Sequence, residues 1–371
     1  MSKITKIKFF DLGSQQSLIK DKIDRGINDV LAHGKYILGP EVAELEDKLA
    51  TYTGARYCIS CANGTDALQI SLMALGVGPG DEVIVPGFTY IAPAEAVAIL
   101  GGKVIYVDVS SHTYNLDVTQ IEAAITNKTK AIIAVSLFGQ CADFDEINEL
   151  ARRYDLPVIE DGAQSFGALY KGQRSGSLTK IATTSFFPAK PLGCYGDGGA
   201  VFTSDEDLAI KIRQIARHGQ DKRYHHKIIG LNSRLDSIQA AVLLAKLTIF
   251  DAELVQRNRV ASNYLSKLSG VNLRSIPDIR PYNQSVWAQF TIETENRDAV
   301  QQYLTDRGIP TAVYYPIPLN RQPAVEDAKS YLLVSEHAAK HVMSLPMGPY
   351  LTSYDQEIII DELTAAIASA K

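Results

Sequence analysis

The 371-residue chain reads as an α/β protein: a large, mostly parallel mixed sheet covered by helices, followed by a smaller α+β unit. Three observations carry this reading. Between residues 55 and 205, short β-branched runs alternate with amphipathic stretches, the pattern of strands joined by crossover helices. The strand runs are almost continuously apolar, as strands buried on both faces are. A single core rarely grows past about 250–300 residues, so this length predicts two domains. Their boundary is placed inside a long helical stretch near residue 250, giving domains 1–250 and 251–371.

The expected strands are 56–60, 82–85, 104–108, 131–136, 157–161, 181–187 and 200–203. Amphipathic stretches at 65–75, 92–100, 117–125 and 143–154 supply the helices between them. The last strands crowd together with loops between them, so the winding is not uniform there. A long helix follows over 233–268. Leu235, Ile238, Ala241, Leu244 and Leu247 recur in its first half at helical spacing, as core or as subunit interface. Beyond it, 286–293 alternates as a strand does, 297–307 forms a helix closed by Gly308, and 311–315 forms a second strand. Helices at 335–343 and 354–369 finish the chain. No internal repeat is visible.

Composition narrows the function classes. With 46% apolar and 21% charged residues and no low-complexity tract, the chain resembles an ordinary soluble enzyme. A net charge of −5 offers no basic face for nucleic acid or an anionic membrane. The longest apolar stretches, such as 91–100, fall short of the roughly 18–20 residues a bilayer span needs. Met1-Ser2-Lys3-Ile4-Thr5-Lys6 leads into no apolar signal core, so a cytoplasmic location is expected. Cys58, Cys61, Cys141 and Cys194 are scattered; the Cys58/Cys61 pair lacks the second pair or histidines that would complete a zinc site. His337 and His341 stand four apart without the acidic residue of an H-E-x-x-H motif, so they read as cations near a helix C-terminus, and no metal is expected.

In an open parallel sheet, ligands bind at the carboxyl ends of the strands, and three features fall there. Asn63-Gly64-Thr65-Asp66 joins the first strand to a helix, so glycine and free helix N–H groups make an anion site suited to phosphate. Pro157-Val158-Ile159-Glu160-Asp161 delivers a carboxylate at a strand tip, able to cap a helix or to hold a cationic ring nitrogen. Lys190 lies between Pro188 and a glycine-rich stretch, five residues after Ser185, whose hydroxyl can also reach a phosphate. Anion cradle, strand-end aspartate and later lysine, in that order, are what pyridoxal 5'-phosphate demands: a lysine to bind it covalently and an aspartate to keep its ring nitrogen protonated. Pro86-Gly87-Phe88-Thr89-Tyr90 adds aromatic faces for the ring. A dinucleotide-binding oxidoreductase is set aside, because Gly76-Val77-Gly78-Pro79-Gly80 precedes a strand and lacks the fingerprint's final glycine spacing.

The motifs extend further. Gly34-Lys35-Tyr36-Ile37-Leu38-Gly39-Pro40-Glu41, Asn63-Gly64-Thr65-Asp66-Ala67-Leu68, Glu160-Asp161-Gly162-Ala163-Gln164-Ser165, residues 185–199, Arg217-His218-Gly219, residues 230–236 and Tyr315-Pro316-Ile317-Pro318-Leu319 follow one another in order. In them the whole chain resembles the DegT/DnrJ/EryC1/StrS sugar aminotransferases, fold type I (aspartate aminotransferase-like) enzymes. The resemblance implies that Lys190 is the Schiff-base lysine and that Asp161 pairs with the pyridine nitrogen. It implies Gln164 beside the cofactor's 3-hydroxyl, Tyr90 stacked on its ring, and Gly64, Thr65 and Ser185 on its phosphate. Asn232 would join the phosphate from the neighbouring subunit, which implies a homodimer with shared active sites.

Relatives that dehydrate sugars carry histidine at the lysine position, so Lys190 implies amino transfer, from L-glutamate to a keto-sugar nucleotide in a ping-pong sequence. The run 186–196 looks most like the members that aminate C3 of UDP-2-acetamido-2-deoxy-3-oxo-D-glucuronate for bacterial O-antigens. Transfer to a dTDP- or UDP-linked 4-oxo sugar, or to another 3-oxo sugar, is the alternative, and a cofactor-binding regulatory protein without turnover a distant one. Arg234 is the candidate fork for a uronate carboxylate, with a structural salt bridge as its other reading. Tyr314 and Tyr315 are the remaining substrate candidates. The family's pattern has histidine where Tyr314 and Asn320 stand, so the sugar-facing wall departs from it.

Overall fold

A computed structural model describes residues 7–370 of the chain. The segment 1–6, on which the expected location rests, lies outside them. Three helices come first: α1 (Leu12–Leu18), α2 (Lys20–His33) and α3 (Pro40–Thr53). None was among the expected elements. α2 buries Ile23 and Val30, with Ile27 half-buried beside Ile23. Asp11 caps α1 by accepting from Ser14 N (3.1 Å), and Pro40 opens α3 at a position where no N–H is needed.

The main sheet holds β1 (Tyr57–Cys61), β2 (Glu82–Pro86), β3 (Lys103–Val107), β4 (Thr129–Val135), β5 (Val158–Asp161), β6 (Ile181–Ser185) and β7 (Gly199–Thr203). All seven stand where the sequence pattern put them, with ends displaced by two residues at most. Their order is β1-β7-β6-β5-β4-β2-β3. The strands from β6 to β3 in that order are parallel; β7 alone runs antiparallel to β6 and β1. Side chains alternate between the faces as strand geometry requires. Val83, Val85, Ala131, Ile133 and Ile159 pack on α4 (Gly64–Leu75) and α5 (Ala92–Ile99). Ile84, Ile132, Ala134 and Val158 pack on α6 (Val118–Ala124) and α7 (Phe144–Arg153). α8 (Glu206–Ile215) follows β7 and packs with α4 on Ile59 and Val201.

The expected single helix at 233–268 is two helices, α9 (Ser237–Leu247) and α10 (Phe250–Leu268). The break falls at Thr248-Ile249, where the Thr248 hydroxyl donates to Ala245 O (2.7 Å) and competes for the helix-end carbonyls. The apolar residues of α9 are covered within the chain: Leu243 packs beside Leu45 and Leu49 of α3, and Val242 and Ala245 beside Ile19 and Ile23. Of the stripe itself, Leu235 and Ala241 are buried within the chain, while Ile238, Leu244 and Leu247 are half-buried. Phe250, at the expected domain boundary, packs in the same cluster as α3 and α9, whereas from Val260 onward α10 belongs to a second cluster.

That second cluster joins α10, β8 (Phe290–Glu293), α11 (Arg297–Asp306), β9 (Val342–Leu345) and α13 (Ser353–Ser369), and takes in Ile7. β8 pairs antiparallel with β9. Three expectations are corrected here. The strand expected at 286–293 starts only at Phe290, because Trp287 adopts φ 52, outside the extended region. No strand forms over 311–315; Ala312 alone bridges Ser344, since Pro310 and Pro316 bound the segment and cannot donate to a ladder. The helix expected at 335–343 is α12 (Leu333–His341), and Val342 and Met343 belong to β9. α12 packs on the main sheet's cluster through Ala338 and Ala339, and Asp108 beyond β3 accepts from Val334 N, Ser335 N and Ser335 Oγ.

Candidate active site

The carboxyl ends of β1, β2, β4, β5 and β6 open on one cavity of ≈ 480 Å³, within the size range of cofactor sites. Its wall holds Gly64, Thr65, Tyr90, Asp161, Gln164, Ser185, Lys190, Tyr314 and Tyr315. The sequence singled out each of these, from segments up to 251 residues apart (64 to 315). The parallel sheet brings them together because loops after parallel strands emerge on one edge.

The anion side is built first. Asn63 caps α4, its carboxamide oxygen accepting from Asp66 N (2.8 Å), which leaves the N–H groups of Gly64 and Thr65 at the helix start. A Cβ on Gly64 would lie 2.6 Å from Ser185 Cβ and 3.1 Å from its hydroxyl, so only glycine lets the helix start approach β6 this closely. Backbone N–H groups and a serine hydroxyl therefore share one small concavity, the donor set a phosphate requires.

On the opposite side, Asp161 ends β5, buried to 5% exposure. Oδ1 accepts from Ala163 N (3.0 Å), and no donor among the described residues reaches Oδ2. Burial raises the Asp161 carboxyl above its usual range, against the lowering effects of the Ala163 N–H and the Lys190 charge. Lys190 is half-buried, and burial lowers its amine below the ordinary lysine range while the Asp161 charge opposes that shift. Each group thus leans toward neutrality, and a cationic ring nitrogen beside Oδ2 would return Asp161 to its ionised form.

Gln164 is held at both ends of its amide: Oε1 accepts from Phe138 N (2.8 Å) and Nε2 donates to Tyr315 Oη (3.1 Å). Tyr90 is 55% exposed, with its ring 6.0 Å from that of Tyr315. Aromatic face, fixed amide, buried carboxylate, phosphate cradle and an amine lowered by burial converge, so the residues present fit pyridoxal 5'-phosphate.

Two expected residues stand apart. Asn232 is exposed and absent from the cavity wall, and its backbone bridges Arg217. Arg234 is half-buried beside Arg217, whose guanidinium burial and the neighbouring Arg213 and Arg234 charges lower. Among the described residues Arg234 has no ion pair, so the salt bridge offered as its structural reading does not form within the chain. The cavity also takes residues that sequence reasoning passed over. Asp197 and Thr89 lie inside motifs already noted, and Gln289 is the polar member of an apolar run, a usable signal. Phe10 carried none. His337 and His341 stack at 4.1 Å in α12, away from the cavity wall, and the four cysteines are buried and free.

The chain matches the DegT/DnrJ/EryC1/StrS aminotransferase family over residues 17–364. It is 63% identical over 358 residues to the UDP-2-acetamido-2-deoxy-3-oxo-D-glucuronate aminotransferase of Pseudomonas aeruginosa, covering 96% of this chain and 99% of the other. It is similar to a solved DegT DnrJ EryC1 StrS aminotransferase from Brucella abortus, with a TM-score of 0.94, 45% identity and 97% and 99% coverage. It is similar also to the ntda structure from Bacillus subtilis with bound cofactor PMP, with a TM-score of 0.88, 35% identity and 94% and 82% coverage.

Proposed function

The chain belongs to the DegT/DnrJ/EryC1/StrS aminotransferase family and is a sugar aminotransferase that works with pyridoxal 5'-phosphate, and from that premise we propose that it moves the amino group of L-glutamate to C3 of UDP-2-acetamido-2-deoxy-3-oxo-D-glucuronate. The observation that carries this reading is the cavity wall shared by Lys190, Asp161 and the α4 start, in a chain 63% identical to the Pseudomonas aeruginosa aminotransferase.

When bound, the cofactor carries the amino group covalently and acts as an electron sink for the carbon that loses a proton. The chain's residues supply the rest. Lys190 Nζ, lowered by burial, is available as a neutral amine near neutral pH more often than a surface lysine. It would take the proton from the carbon that loses nitrogen and return one to the carbon that gains it. Asp161 would hold the ring nitrogen protonated through Oδ2. The Gly64 and Thr65 N–H groups and the Ser185 hydroxyl would hold the phosphate, and Gln164 would lie beside the 3-hydroxyl. Tyr90 would cover one ring face, while Tyr314 and Tyr315 would exclude water on the sugar side.

We place Asn232 on the phosphate and Arg234 on the uronate carboxylate of the neighbouring subunit's site. Both stand outside their own chain's cavity, and among the described residues the Arg234 guanidinium has no ion-pair partner. Exposed apolar side chains support such a homodimer: Tyr36, Ile37 and Leu38 in a row, and Tyr224 and Ile229 at 80% and 85% exposure. Among the described residues no helix is long and apolar enough to cross a membrane, and we assign the reaction to cytoplasmic synthesis of O-antigen sugars.

A coupled assay with L-glutamate tests the substrate. We expect kcat/KM for UDP-2-acetamido-2-deoxy-3-oxo-D-glucuronate to exceed that for a dTDP-linked 4-oxo sugar by about 100-fold or more. Preference for the 4-oxo sugar would overturn the assignment.

A further inference from the structure

The geometry points to Lys246, a residue outside the cavity, as the positioning residue that sets where Lys190 presents its amine. The claim concerns the loop between β6 and β7. That loop is closed on itself: Phe186 N donates to Gly198 O (2.8 Å), Cys194 N to Phe186 O (2.8 Å), and Lys190 N to Phe187 O (2.9 Å). Gly193 is its tightest point, where a Cβ would meet the carbonyl oxygens of Phe187 and Pro188 at 2.6 Å. The turn holding Lys190 is therefore wedged directly against Gly193, and displacement of one displaces the other.

Helix α9 grips this loop from below at two places. Gln239 brackets Tyr195, accepting from its N–H (2.8 Å) and donating to its carbonyl (3.4 Å). Lys246, at 1% exposure, donates from Nζ to Gly193 O, the acceptor it has among the described residues. Nζ also lies 4.4 Å from the centroid of the Tyr195 ring. A buried ammonium is unfavourable unless paired, and an aliphatic side chain would fill this place more easily. Burial indeed lowers the Lys246 amine to about 8, against the opposing charges of Glu253 and Cys194. The fold keeps an amine here and gives it one carbonyl, three residues from Lys190.

The inference rests on Lys190 being the residue that carries the cofactor, and the experiment separates the two. Lys246→Met, Lys246→Arg and Leu243→Ala are compared with wild type at saturating pyridoxal phosphate. Leu243 is a fully buried neighbour on α9 that packs in one apolar cluster with Phe186, Leu192 and Cys194 of the loop but makes no hydrogen bond to it, so its variant controls for loss of packing beneath the loop. We expect Lys246→Met to lower kcat by ~10–100-fold, the scale of a small misplacement, with both KM values within about threefold of wild type. The visible band of its bound cofactor should titrate at a different pH. Lys246→Arg, which can still donate to Gly193 O, should recover most of kcat, and Leu243→Ala should keep it. Wild-type kcat and band titration in Lys246→Met, or an equal loss of kcat in Leu243→Ala, would overturn the clamp. Should Lys190→Ala remain active, the reading beneath the clamp fails instead.

Discussion

Lys190 and Asp161 are pushed toward neutrality by burial while each charge opposes the other's shift, so the pair is sensitive to whatever ring lies between them. The residue beside Asp161 gives a cleaner prediction. Glu160 is fully buried, accepts from Ser175 Oγ (2.6 Å), Gly176 N (3.0 Å) and Leu178 N (3.3 Å), and is raised by burial to about 7. Its folded value lies above its unfolded one of 4.5, so between these values the native state binds more protons than the unfolded state. Its contribution is full below pH 4.5 and is lost as pH rises toward 7. Glu160→Gln should therefore flatten the pH dependence of urea unfolding across that window, by on the order of 3 kcal/mol. An unchanged slope would mean Glu160 titrates normally. At this scale the cavity wall was legible where chemistry imposes residue types at strand ends, as at Gly64, Asp161, Ser185 and Lys190, while Gln164 came from the family resemblance. Phe10 was not, because the Phe9-Phe10 pair before α1 obeys no local rule and Phe10 reaches the cavity only through the tertiary fold.

Among the elements, α4 and α12 show how local geometry serves the site. Gly64→Ala would place a Cβ 2.6 Å from Ser185 Cβ and push the helix start away from β6. We expect the dissociation constant of pyridoxal phosphate, titrated into apo-protein, to rise by about tenfold or more, roughly 1.4 kcal/mol, with the fold retained. Unchanged affinity would remove the phosphate from this cradle. Asp108 caps α12 from another strand's end, so Asp108→Ala leaves two buried donors of Ser335 and the half-buried Val334 N–H without their acceptor and should lower stability by about 2–3 kcal/mol in urea. A loss below about half a kcal/mol would make the clasp incidental. The central strands were legible because both faces are buried and the apolar runs are unbroken. α2 carried a usable signal that was passed over, since Ile23, Ile27, Val30 and Leu31 recur at helical spacing. The α9–α10 break was hidden because the apolar period continues through Thr248-Ile249.

For the whole molecule, the two-domain arrangement is our reading of the core clusters that divide within α10 between Phe250 and Val260, with Ile7 joining the later cluster and α12 packing on the main sheet. Shared active sites make a sharper claim about assembly. If Asn232 serves the neighbouring site, Lys190→Ala and Asn232→Ala proteins, each inactive alone, should regain activity when refolded together. Half the dimers would be mixed, each with one intact site, so about a quarter of wild-type activity is expected. No recovery would place Asn232 in its own chain's chemistry or in none. The overall fold was legible because strand–helix alternation admits few topologies; the proposed dimer came from the family resemblance alone, because residues that meet only across chains leave no spacing within one.

All of this depends on which amine bears the cofactor. Reduction of the pyridoxal-phosphate-loaded enzyme with borohydride, followed by proteolysis and mass spectrometry, reads that amine directly. The account predicts the pyridoxyl adduct on Lys190 alone, and its loss together with turnover in Lys190→Ala. An adduct on Lys246 or any other lysine, or turnover that survives Lys190→Ala, would contradict it.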